Sequence, residues 1–142
     1  MFKKPWQRKL FLFWELPQYI LGIFFILFLN RRIIDILVYK DAHVFIARNF
    51  PGGISLSTII ILNELEMADS INESGGRLKC LLHEYGHSIQ SLILGWLYLP
   101  LVGIPSVIRA AVWKSRKLNP TLYYKRYPES WADKLTDNKK YS

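Results

Sequence analysis

The sequence predicts an α+β fold, in which a short β-sheet packs on a long helix, joined to an apolar N-terminal helix and a helical hairpin. Three observations predict this fold class. β-Branched and aromatic runs fill residues 33–62, a long helical segment begins near residue 77, and a mostly apolar run stands near the amino terminus. The 142 residues suit one domain. We expect residues 33–142 to form it and residues 1–32 to precede it as an anchor.

The apolar run from Leu10 to Leu29 is long enough to span a membrane, because a helix of twenty residues is about 30 Å long. Basic residues precede and follow it, and no small-residue cleavage pattern is present. We therefore predict that residues 1–32 form a basic segment and an uncleaved membrane anchor, with Pro17 at the start of the spanning helix. Glu15 and Gln18 are costly in lipid and should lie near an interface or face protein. The alternative is a buried amphipathic core helix.

Residues 33–62 contain three β-rich runs, IIDILVY, HVFIA and ISLSTIIIL, and we predict one short strand from each. The third strand is expected beside the long helix. If it forms an exposed sheet edge, an extended substrate could add to it as another strand, and otherwise it is a core strand. His43, at the start of the second run, is interpreted as a surface or loop histidine.

The long helix is predicted over about residues 77–99, and the apolar chain continues to residue 113. Pro100 and Pro105 break the segment 88–113 into halves of about twelve residues, roughly 18 Å each, which is too short to span a bilayer. We therefore predict a re-entrant or interfacial hairpin. A last short helix is predicted over about residues 128–136, because its first residue is a proline, which the first turn of a helix favours.

Composition and charge favour a lipid bilayer over nucleic acid as the partner. Hydrophobic residues make up 51% of the chain, and the formal net charge is +8. The basic residues cluster at the ends of the apolar stretches, where they suit lipid headgroups, and no basic stripe along one helix is visible. We predict no nucleic-acid binding. Cys80 is the only cysteine, which excludes an intramolecular disulfide and a cysteine-based zinc cage.

The predicted long helix carries the motif HEYGH at residues 83–87. His83 and His87 lie one turn apart on the same helix face, so that both imidazoles can bind one metal ion with Glu84 beside it. A solvated helix face is the alternative, but the motif stands among apolar residues, and buried polar groups need a partner such as a metal. In the tail, Glu129 and Asp133 share one face of the last predicted helix.

Together, HEYGH and ESWAD resemble the gluzincin branch of HExxH metallopeptidases, and the ExxAD form is similar to that of HtpX-type membrane proteases. The resemblance implies a zincin-like domain that binds one zinc ion through His83, His87 and Glu129. It also implies that Glu84 is the general base and that Asp133 orients a histidine. The chain departs from those proteases because it lacks their larger set of membrane helices and a recognisable later histidine.

The sequence therefore predicts a membrane-associated zinc peptidase that hydrolyses peptides or membrane proteins near a membrane surface. Segments such as WELPQYILG resemble small uncharacterised bacterial membrane proteins, so we expect the bacterial cytoplasmic membrane, with a lean towards its cytoplasmic side. Glu84 would take a proton from zinc-activated water and deliver it to the leaving amine. Candidate donors to the developing oxyanion precede the third ligand: Tyr123, Tyr124, Arg126 and Tyr127.

Two alternatives from other functional classes stay open. In the first, zinc clamps the tail to the long helix in a non-catalytic membrane protein, with His43 as a possible fourth ligand. In the second, the chain is a lipid-binding module in which HEYGH is accidental.

Overall fold

A four-stranded sheet with helices on both faces forms the centre of the structure, a computed structural model that describes residues 11–65, 76–117 and 125–136. This mixed architecture confirms the predicted α+β class. The helices are α1 (Leu16–Leu29), α2 (Gly76–Leu94), α3 (Ile104–Ser115) and α4 (Glu129–Leu135), and the strands are β1 (Ile33–Tyr39), β2 (Ala42–Ala47), β3 (Gly53–Leu56) and β4 (Ile59–Asn63).

The strands are arranged in the order β1-β2-β4-β3, so that β1 and β3 form the two edges of the sheet. β1 pairs antiparallel with β2, β2 parallel with β4, and β4 antiparallel with β3. Because successive side chains of a strand point to opposite faces, Ile60 and Leu62 of β4 face α2 with Tyr85, while Ile59 and Ile61 face α1. Burial on both faces explains why β4 is continuously apolar instead of alternating.

The expectation of three strands is wrong, because the run ISLSTIIIL forms two strands, β3 and β4, that pair with each other. The two residues between them make a tight turn, in which Ser57 has a φ of 60°. Such turns require positive φ and are usually marked by glycine or asparagine. A serine at this position left no turn signal in an otherwise apolar run. The Ser57 carbonyl accepts a hydrogen bond of 2.6 Å from Ser88 Oγ of α2, which holds the turn in place.

α1 covers the face of the sheet opposite α2, and its residues Phe25 and Leu29 pack with Ile59 and Ile61. The helix starts at Leu16, after turns over residues 11–15, with Pro17 in its first turn, as predicted for the start of this helix. Its 14 residues correspond to about 21 Å. Within residues 11–65, 76–117 and 125–136, no helix combines the length and the apolar character needed to cross a membrane.

A buried polar cluster ties the first turn of α1 to the end of α2. Glu15 and Gln18 are fully buried, which confirms that they face protein. Ser91 Oγ donates to the Glu15 carboxylate at 2.7 Å, and Gln18 Nε2 donates to Ser91 Oγ at 3.3 Å and to the Gly95 carbonyl at 2.5 Å. Burying these groups without such partners would cost about 1–3 kcal/mol each, so the contacts fix how α1 sits against α2.

The break after α2 lies at Gly95, and the expected break at Pro100 is wrong. Gly95 has a φ of 53°, which glycine adopts without the cost that a side chain would bring, and a Cβ there would overlap the ring of Trp14. Pro100 and Pro105 instead stand in the first turns of the next helical segments, where a missing N–H costs nothing. We call residues 95–115, which end with α3, the hairpin segment.

Replacing Gln18 with alanine is expected to lower the free energy of unfolding by about 1–3 kcal/mol, because the change removes two hydrogen bonds from a buried polar cluster. Chemical denaturation of detergent-purified protein, followed by tryptophan fluorescence, measures this. The matched control is Ile20→Ala, because Ile20 is on the same helix and 57% exposed. A Gln18→Ala protein that unfolds like the control would show that the contact between α1 and α2 is not stabilising.

Candidate metal centre

The HEYGH motif lies in the middle of α2, at its buried face. His83 and His87 are each 6% exposed, and their rings stand nearly perpendicular with centroids 4.9 Å apart. Glu84 is buried as well. The one-turn spacing therefore places both imidazoles on the same side of the helix, as the sequence predicts.

α4 brings the third ligand because its backbone can come very close to α2 at Gly86. A Cβ at position 86 would overlap the carbonyl oxygen of Ala132 in α4. Glycine at the fourth position of HEYGH and alanine in ESWAD are therefore the two small residues that let the helices meet. Glu129 is buried beneath this contact, at the first residue of α4.

The predicted ligands His83, His87 and Glu129 form one buried group that could hold a metal ion. Glu129 Oε2 is 3.0 Å from His83 Nε2 and 2.9 Å from His87 Nε2. Tetrahedral coordination with bonds of about 2.0–2.1 Å separates ligand atoms by roughly 3.3 Å. The three ligand atoms all lie within 4.8 Å of one another, so the group could hold one ion.

Each histidine has a second hydrogen bond that orients its ring. His83 Nδ1 is 2.8 Å from Asp133 Oδ1, which agrees with the role predicted for Asp133. His87 Nδ1 is 2.7 Å from Gln90 Oε1. Metal-bound histidines almost always have such a partner on the ring nitrogen that does not bind the metal. Gln90 was missed in the sequence, although its position three residues after His87 on the same helix face was a usable signal.

The third ligand also has an orienting partner, which comes from the hairpin segment. Ser106 Oγ of α3 donates to Glu129 Oε1 at 2.5 Å, so that Oε2 is left to face the two imidazoles. Nothing in the local sequence of Ser106 indicates this role, because the contact depends on how the hairpin segment returns to the site. Ligands and partners together come from α2, α3 and α4.

His83 and Glu129 each shift the pKa of the other. Burial on its own lowers the pKa of His83, but hydrogen bonds to Asp133 and Glu129 and the charge of Glu84 outweigh burial and raise it to about 10. Burial favours the neutral form of Glu129, yet hydrogen bonds from His83 and His87 and their charge hold the pKa of Glu129 well below its usual range. Without metal, the site therefore contains an imidazolium and a carboxylate at neutral pH.

Glu84 lies against the start of β3, where the lack of a side chain at Gly53 leaves space for its carboxylate, since a Cβ there would overlap it. Tyr98 of the hairpin segment, which the sequence did not single out, is buried nearby and donates to the Ser55 carbonyl of β3 at 3.0 Å. Burial and the negative charges of Glu84, Glu129 and Glu15 raise the pKa of Tyr98 well above its usual range. Its hydroxyl therefore stays protonated.

The other candidate residues lie elsewhere. Arg126 is exposed with its guanidinium 5.8 Å from the centre of the Trp113 ring, and the Tyr127 hydroxyl donates to the Leu101 carbonyl at 3.0 Å. Both side chains are thus engaged with the hairpin segment. His43 is exposed on β2, as expected for a surface histidine. The remaining two candidate donors, Tyr123 and Tyr124, lie outside the described residues.

Comparison of the chain with family models, curated proteins and solved structures finds no match. What the protein does has to follow from the chemistry of this buried group.

Metal binding is expected to strengthen with pH by up to about tenfold per pH unit above neutrality, because an ion bound to this group would displace the proton of His83. The raised pKa means that the imidazolium stabilises the metal-free fold fully below pH 6.5, and that this contribution is lost as the pH rises through about 10. Competition with a chromophoric chelator at several pH values measures the slope. Asp133→Asn is the control, since it removes a partner of the imidazolium and should flatten the slope. A parent protein whose metal affinity does not change with pH would contradict the assignment of His83 as a metal ligand.

Proposed function

We propose that the protein is a zinc-dependent peptidase that acts at a membrane surface. The observation that carries the proposal is the buried group of His83, His87 and Glu129 with Glu84 next to the first histidine. Two imidazoles and one carboxylate are a ligand set that catalytic zinc uses, with a fourth position left for water or substrate. This supports zinc as the metal and hydrolysis as the reaction.

When bound, zinc supplies a Lewis acid that polarises a substrate carbonyl and acidifies a coordinated water. The charge of Glu84 acts on His83, so its carboxylate lies close enough to the ligand group to accept a proton from the attacking water. It then donates this proton to the leaving amine. Asp133 and Ser106 hold a histidine ring and the Glu129 carboxylate in orientations that point their free atoms towards the metal.

The position of β3 supports a peptide as the substrate. β3 is an edge strand of the sheet, and its first residue, Gly53, lies against the side chain of Glu84. An extended peptide that paired with this edge would bring a backbone carbonyl to the general base and the ligand group.

The two alternatives receive less support. A structural zinc site usually closes the fourth position with a protein ligand. The one candidate named from the sequence, His43, is exposed on β2, and the ligand group formed by the described residues has only the three members above. An accidental HEYGH in a lipid-binding module would not account for Glu129 and Asp133 both meeting His83 from a distant part of the chain.

Glu84→Gln is expected to abolish peptide hydrolysis, with a decrease in kcat of at least about a hundredfold, because the amide cannot accept the proton. Zinc content should stay at about one ion per chain, as the proposed ligands are untouched. The comparison variant is Glu129→Ala, which should lose both zinc and activity. Metal analysis and cleavage of a peptide mixture measure the two effects. Hydrolysis that survives in Glu84→Gln would contradict the role of Glu84 as the base, and a parent protein that binds zinc without cleaving any peptide would favour the structural-zinc alternative.

The membrane part of the proposal rests on two exposed apolar stripes. One follows the outer side of α1, and the other follows the hairpin segment. They meet where the rings of Phe13 and Trp96 stand 6.2 Å apart and Trp96 Nε1 donates to the Phe13 carbonyl. We call the joined stripes the apolar band, and it contains Ile20, Ile23, Phe24, Leu27, Phe28, Leu97, Leu101, Ile104 and Ile108.

Basic residues stand at both far ends of the apolar band. Arg31 and Arg32 follow α1, and Lys114, Arg116 and Lys117 end or follow α3. A contiguous apolar surface with a cationic rim fits a bilayer that contains anionic lipids, with the helices lying in its interface. We therefore propose that the chain lies on a membrane surface, and from the sequence we expect this to be the bacterial cytoplasmic membrane, with a lean towards its cytoplasmic side.

The double variant Phe24→Ser/Leu27→Ser is expected to weaken binding to phosphatidylglycerol-containing vesicles at least about tenfold, because each side chain contributes about 1.5–3 kcal/mol when it leaves water. Vesicle flotation measures the bound fraction. Val38→Ser is the matched control, since Val38 is 71% exposed but belongs to β1. An equal loss in the control, or no loss in the double variant, would contradict the assignment of the apolar band.

A further inference from the structure

Gln90 uses both ends of its buried side-chain amide at the metal centre. The residue is fully buried, one turn after His87 on α2. Its Oε1 is 2.7 Å from His87 Nδ1, and its Nε2 is 3.0 Å from the carbonyl oxygen of Pro128. Pro128 is the residue that caps the amino end of α4 and directly precedes Glu129. One amide therefore contacts one ligand and the backbone that presents another.

The direction of these hydrogen bonds follows from chemistry. A backbone carbonyl can only accept, so the atom of Gln90 that faces Pro128 must be the amide nitrogen. The amide oxygen then faces His87 Nδ1 and can only accept, so that this ring nitrogen must carry a proton. His87 Nε2, which faces Glu129 at 2.9 Å, is left as the atom that binds the metal. A flipped amide would place two acceptors against each other at Pro128.

We propose that Gln90 is a positioning residue that fixes the metal-binding tautomer of His87 and makes it depend on the seating of α4. This inference rests on the proposed zinc function. The Pro128 carbonyl sets the orientation of the amide, and the amide sets the proton position on the imidazole. When α4 packs against α2, Glu129 lies beside the imidazoles. The same contact, through Gln90, holds the proton of His87 on Nδ1. The two ligands are thereby coupled.

Two substitutions of Gln90 distinguish a positioning role from a packing role. A positioning role predicts tighter zinc binding by the glutamate variant, whereas a packing role predicts that the leucine variant is closer to the parent. Leucine fills a similar volume and is apolar, so it is the better replacement at a merely structural buried position. Glutamate is poorly tolerated there as a buried acid, but it keeps an oxygen that can accept from His87 Nδ1. Gln90→Met is a second apolar variant of similar length, for use if the leucine variant does not fold.

The experiment is a zinc competition titration of the full-length parent, Gln90→Leu and Gln90→Glu proteins in detergent, with near-ultraviolet circular dichroism as the folding control. We expect Gln90→Leu to bind zinc about 10–100-fold more weakly than the parent, which is the usual effect of losing an orienting partner. Gln90→Glu keeps the acceptor for His87 Nδ1 but places a second oxygen against the Pro128 carbonyl, so it should bind zinc about 3–10-fold more weakly than the parent and more tightly than Gln90→Leu. Zinc binding of the leucine variant close to that of the parent, or weaker zinc binding by the glutamate variant than by the leucine variant, would overturn the proposal.

A second measurement reports the two ring nitrogens directly. Nitrogen-15 NMR of the zinc-loaded parent should show the proton of His87 on Nδ1 and the metal on Nε2. Metal bound to Nδ1 of His87 would overturn the inference. A parent protein that takes up no zinc would instead overturn the proposed function, so the two failures are distinguishable.

Discussion

The approach of α4 to α2 is the contact on which the candidate metal centre depends. Its closest point is Gly86, where the Ala132 carbonyl fills the space that any side chain would need. From this point the seven-residue α4 places Glu129 against both imidazoles and Asp133 behind one of them. A helix this short has little stability of its own, so its position comes from these contacts and from the Gln90 bond to Pro128.

The layers around the sheet explain how so many polar groups can be buried in a small domain. α1 and α2 cover opposite faces of a sheet whose inner strand β4 is apolar on both sides. The polar residues are collected along α2, on the side that meets α4, the hairpin segment and the first turn of α1. There, many of the carboxylates, amides and hydroxyls hydrogen-bond one another, so the hydrophobic layers need not accommodate them.

Sequence patterns located the parts of the site that local geometry determines. His83 and His87 follow from helical spacing, and Glu129 and Asp133 from the same spacing in the tail, combined with a family resemblance. Tyr98 and Ser106 could not be found this way, because a residue's place in a hairpin that folds back on the site has no periodic signature. The fold shows the same division. The fold class followed from hydrophobic patterning. The turn at Ser57 could not be predicted, because the strand after it is buried on both faces and the sequence there is continuously apolar instead of alternating between apolar and polar residues.

The bond between Tyr98 and Ser55 has a consequence for how tightly a substrate can be held. Because the Tyr98 hydroxyl donates to the Ser55 carbonyl, a peptide that paired with β3 in the proposed way would find an open edge mainly at Gly53, near Glu84. A few backbone hydrogen bonds contribute only about 0.5–1.5 kcal/mol each, which would leave the intrinsic affinity low. Confinement of enzyme and substrate to one lipid surface would compensate by raising their effective concentration, in the way that linking two binding modules does. Selectivity would then come from co-localisation more than from recognition of a cleavage sequence.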